Sequence, residues 1–89
     1  MNQQQNIGVE KLFSIKDEKS DLFSMPFTSR TRGTAIRTFE QTVNNNQEGN
    51  LLSKYPQDYT LYQIADFDTL TGQIFSNIEK IMRADEVAK

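Results

Sequence analysis

Only one stretch of this 89-residue sequence repeats its apolar residues at helical spacing over several turns, the segment from Thr28 or Ser29 to about Asn44. There Ala35, Ile36, Phe39 and Val43 fall three and four residues apart and lie within about a 100° arc, which is one side of a helix. The apolar residues on either side of it follow strand patterns instead. Val9 to Ile15 alternates with lysine and serine so that Phe13 and Ile15 face inward, and Tyr59 to Phe67 (YTLYQIADF) is rich in β-formers. In that second segment Leu61, Ala65 and Phe67 are expected on one face and Tyr62 and Ile64 on the other. DTLTG reads as a hairpin connection, with Gly72 taking the positive φ that closes it, into a return strand over Gln73–Phe75. Ser76 followed by Glu79 matches a capping box and opens a short helix with Ile78, Ile81 and Met82 on one side. The expected fold is therefore α+β: a small three-stranded, mainly antiparallel sheet, one long helix packed on one of its faces, and a short C-terminal helix. The first strand is expected to pair with the return strand, which makes the sheet all antiparallel; pairing with the second strand through a right-handed crossover would make it mixed. Residues 1–8 read as a disordered tail, 9–76 as a single domain and 77–89 as the short helix and a frayed end. LFSMPFTS, at 22–29, reads as a loop lying across the edge of the core.

A single helix covers a single face. The other face, with Tyr62, Ile64 and Leu12 on it, is too apolar to be left wholly to water, and a homodimer or a ligand would cover it. Hydrophobic residues make up 36% of the chain, enough for one small core, and no cysteine is present to staple it. Histidine is absent too, so the usual proton shuttle and commonest metal ligand are missing. Asp66 and Asp68 flank Phe67 at the start of a turn, where aspartate caps backbone, and together with Asp58 they lack the spacing of a calcium loop. With no nucleophile elbow, glycine-rich phosphate loop or zinc motif, the expectation is a protein that is not an enzyme and uses no cofactor or metal. No 18-residue apolar run occurs, which predicts a cytoplasmic protein without membrane contact.

The chemistry that the chain does offer is cationic and local. Net charge is only −2, yet Arg30, Arg32 and Arg37 fall together with no acidic residue between Asp21 and Glu40. Arg30 and Arg32 sit where the helix dipole is already positive, a place where stabilising sequences put Asp or Glu. Their guanidinium groups, the hydroxyls of Ser29 and Thr31 and the open N–H groups of the first turn would together cradle a phosphate. The alternative is that these arginines pair with Asp17, Glu18 or Asp21 of the preceding turn. Of the nine aromatic rings, Phe13, Phe39, Phe67 and Phe75 are expected in the core, and Tyr59 and Tyr62 are the rings placed to stack on exposed bases.

KLFSIKDEKS at 11–20, the Pro26–Phe27 pair, AIRTFEQTVN at 35–44 and LLSKYPQDYTLYQIADFDTLTG at 51–72 resemble the small nonstructural protein of gokushoviruses, single-stranded DNA phages of the Microviridae. The resemblance is most specific in KYPQDYTLYQIADFD. It implies a viral protein of the host bacterial cytoplasm, absent from the finished capsid, that binds DNA or assists single-strand synthesis and genome packaging. It transfers no residue roles. The resulting expectation is a dimeric, non-enzymatic protein contacting single-stranded DNA through Arg30, Arg32, Arg37, Thr31, Ser29, Tyr59 and Tyr62. The rival expectation is an adaptor that binds the phage replication initiator, the procapsid or a host factor.

Overall fold

The computed structural model describes residues 8–89. Apart from Gly8, the expected N-terminal tail lies outside the described residues. Five strands form one antiparallel sheet: β1 (Val9–Asp17), β2 (Leu22–Phe23), β3 (Phe27–Ser29), β4 (Tyr59–Asp68) and β5 (Ile74–Arg83). Between β3 and β4 come helix α1 (Arg32–Val43), the single turn α2 (Leu51–Lys54) and a 3-10 turn, Pro56–Asp58. In spatial order the sheet runs β2 and β3 end to end along one edge, then β1, β4 and β5.

This corrects the expected fold in four respects. The segment expected to be a loop supplies two strands, because the chain turns at Asp21, whose φ of 66° is left-handed, and retraces β1 in the opposite direction. That retracing also decides the strand order. It returns the chain to the start of β1, where Ser29 pairs with Lys11, so that α1 runs back along the sheet and β4 enters opposite Asp17. β1 and β4 are thus antiparallel neighbours, not parallel strands joined by a crossover, and β1 does not pair with the return strand.

The third correction is the C-terminal helix, which is a strand. β5 continues the hairpin to Arg83 and only then enters a 3-10 turn at Ala84–Glu86. Its pairing with β4 slips twice, between Leu61 and Tyr62 and between Gln63 and Ala65. Each bulge adds a residue and breaks the two-residue alternation, so Ile78, Ile81 and Met82 acquire a spacing that imitates a helix. The helix expected from Thr28 or Ser29 to about Asn44 is shorter, Arg32–Val43, and the sheet it covers has five strands, not three. Thr31, two or three residues later than expected, caps the helix by accepting a hydrogen bond from the Thr34 N–H at 3.1 Å.

Phe13, Leu61, Ala35, Phe39, Val43 and Ala84 form the core between the sheet and α1. Ile15, Phe27 and Tyr59 pack against it, and the Phe27 ring stacks on Phe13 at 5.8 Å. Phe75, expected inside, is 55% exposed, because the hairpin extends beyond the reach of a twelve-residue helix. A bulge between Leu12 and Phe13 turns Ala65 to the same face as Leu12, away from Leu61. No helix among the described residues is long and apolar enough to cross a membrane.

Candidate functional site

The seven residues expected to act together divide among four places. Ser29, Arg30, Thr31 and Arg32 lie where β3 passes into α1; together with Val9 and Lys11, the last three line a groove of about 480 Å³. Arg37 is one turn further on, on the exposed side of α1. Tyr62 belongs to the opposite face of the sheet, where its ring meets Phe23 edge-on at 5.1 Å. Tyr59 lies against the core, and burial pushes its phenol above the ordinary value, with Asp17 and Asp58 adding to the shift.

Three cations therefore converge on one concave surface, and each already has an acid. Arg30 Nε donates to Glu10 Oε2 at 3.2 Å. The Arg32 guanidinium reaches across the sheet, donating to Gln63 Oε1 at 3.0 Å and to Glu79 Oε1 at 2.8 Å. That hydrogen bond and the guanidinium charge hold the Glu79 carboxyl below its ordinary value. Lys11 Nζ stands 3.7 Å from Asp66 Oδ1, an ion pair too long to be a hydrogen bond. The partners expected from neighbouring sequence are engaged elsewhere. Glu18 and Asp21 flank Lys16, at 3.6 and 2.8 Å, and the closer contact lowers the Asp21 carboxyl while raising the lysine. Among the described residues Arg37 makes no ion pair, and Glu40, one turn on, is held by Lys89 at 2.9 Å.

These pairs could not be read from the sequence, since Glu79 is 47 residues from Arg32 and faces it only because β5 is a strand. The signal that could be read was the charge run itself, together with an α1 first turn that contains no acid. Asp68 Oδ1 accepts from the Leu70 N–H at 2.8 Å, the turn role expected of it.

The reverse face of the sheet holds a second groove, of about 450 Å³ and almost wholly apolar. Leu12, Phe23, Pro26, Ile64, Ile74 and Ile78 contribute to it. Phe23 and Pro26 come from the retracing segment and were not among the residues expected there.

A family model described as phage ORF5 protein matches residues 10–87. The chain is 33% identical over 81 residues to Protein ORF5 of Chlamydia phage 1, an alignment covering 83% of this chain and 82% of that protein. No solved structure matches it.

Proposed function

We propose that this chain, which belongs to the phage ORF5 protein family, acts without catalysis in the host bacterial cytoplasm by holding single-stranded DNA at the groove beside the α1 N-terminus during genome synthesis or packaging. The observation that carries the reading is the convergence of Lys11, Arg30, Arg32 and Thr31 on one concave surface. Exposed ion pairs contribute little, because water and salt screen them. Each carboxylate meets its arginine through a single oxygen, so a phosphate can replace Glu79 on Arg32 or Glu10 on Arg30 and gain a bidentate contact that the acid does not make, together with the positive end of the helix dipole. In this mechanism the carboxylates are competitors held in place until the anion arrives, and Arg37 extends the cationic track along α1.

That competition provides the test. In a low-salt titration with a single-stranded oligonucleotide, Glu79→Gln removes the occupant of Arg32 without removing the cation, and affinity rises by about two- to fivefold. The triple change Arg30→Ala, Arg32→Ala, Arg37→Ala abolishes binding. The wild type responds to salt with a shallow slope of about two to three phosphates. No detectable binding at low salt, or an affinity indifferent to Glu79→Gln, would remove the reading.

A second reading is a protein–protein adaptor, favoured by the one-to-one matching of the groove cations with Glu10, Asp66 and Glu79, which leaves the surface neutral overall. A phage or host protein that stays bound in infected lysate after nuclease treatment supports it over DNA.

A further inference from the structure

The covered side of the sheet buries six hydrophobic residues among the described ones, and two of those are alanines. Only Phe13, Phe39, Val43 and Leu61 are large. Ten large hydrophobic residues remain exposed, including Phe23, Ile74 and Ile78 of the outer groove at 43%, 60% and 62%. A chain this small, with no disulfide to staple it, has little stability to spare, and leaving more large apolar side chains outside than inside is the pattern of a fold completed by another surface.

We infer that a second copy of this chain covers the outer face, the two sheets packing face to face across a twofold axis with an α1 layer on each outside. The chemistry of the groove selects a copy of itself. None of its lining side chains is charged, so apposing the face to itself brings no like charges together. Of its three hydroxyls two are already bonded: Ser14 Oγ donates to the Ser24 carbonyl at 2.7 Å, and Ser24 Oγ accepts from the Ile15 N–H at 3.0 Å, so burial strands neither of these and leaves only Ser76 to be satisfied. Lys16, at its border, is neutralised by Asp21 and Glu18. A foreign partner would need polar anchors for its specificity, and the groove supplies none. Three or four strand lanes about 4.8 Å apart and some six residues long cover roughly 300–400 Å² per copy, so two copies bury about 600–800 Å², the size of a weak, concentration-dependent dimer. This surface lies across the sheet from the arginine groove, so the dimer stands or falls independently of the DNA reading.

Sedimentation velocity from about 1 to about 100 µM on the full chain tests it. The expected result is a wild-type dimer, with Ile78→Glu and Ile74→Glu each weakening association by at least about tenfold while Leu51→Glu, on α2, leaves it unchanged. Both groove positions are exposed in the single chain, and unchanged far-ultraviolet circular dichroism confirms that the variants fold. A wild type that stays monomeric throughout the range overturns the proposal and leaves the face to a different protein. A dimer that survives both groove variants overturns it as well, by showing association through another surface such as the free edge of β5.

Discussion

The two faces of the sheet are made from the same strands and meet different ends. On the α1 side, Phe13, Leu61, Phe39 and Val43 are sealed to 1% exposure or less, while on the other side Ile74, Phe23 and Ile78 stay 43–62% exposed. The difference is not one of side-chain type, since both faces carry large apolar residues. It comes from supply: among the described residues there is one helix long enough to cover a face, and its twelve residues span about 18 Å. Hydrophobicity marks where a covering is needed, and only the number of covering elements decides where it is provided.

The sharpest way to break this comparison is to remove one large side chain from each face. Phe39→Ala on the covered face should cost about 3–5 kcal/mol, from lost transfer energy and the cavity left behind, as read by chemical denaturation. Ile78→Ala on the open face, measured at concentrations low enough to keep the chain monomeric, should fall within about 0.5 kcal/mol of wild type. Equal losses would mean that the outer face is already buried within one chain.

A smaller effect sharpens the role of the covering element. Gly33 lies in the first turn of α1 with ordinary helical backbone, and a Cβ added there meets nothing closer than Thr31 Oγ1 at 4.0 Å. Gly33→Ala should therefore stabilise the fold by about 0.5–1 kcal/mol through helix propensity. Thr60 Oγ1 is buried without a hydrogen-bond partner among the described residues, and Thr60→Val should add a similar or smaller gain. The smallest effect is that of pH. Glu79 and Asp21 titrate below their ordinary values in the folded chain, so their contribution is present above the carboxylate range and lost as pH falls through it. Lys16 titrates above its ordinary value, so its contribution is present below that value and lost as pH rises past it. With no histidine in the chain, stability should stay nearly flat from pH 6 to about pH 8, and a thermal melt series that bends there would contradict these assignments.

Legibility from the sequence followed the range of the interactions. Helix α1 was readable because its periodicity is local, and Gly72, with φ of 80°, closes the hairpin for a reason carried by that residue alone. The short helix expected within 77–89 rests on spacing that is also local, but the spacing arises from bulges against β4, and bulges are a property of a pair of strands. β2 and β3 carry no signal in the sequence, because two- and three-residue strands have no period. For the candidate site, the run of arginines was visible and its neutralisation was not. Ion pairs near in sequence were the natural expectation, whereas Glu79 and Glu10 reach the arginines through the sheet.

Taken alone, the order of residues determined that this chain has one multi-turn helix, strands before and after it, a cationic run at the helix start, and more apolar surface than one helix can cover. Those properties depend on residues within a few positions of one another, where covalent geometry sets the distances. Tertiary structure decided that β4 lies beside β1, that the C-terminal segment extends as a strand, and that Arg32 spends its charge on Glu79. Each of those outcomes compares contacts between segments tens of residues apart, and their energies exist only once the chain has brought the segments together.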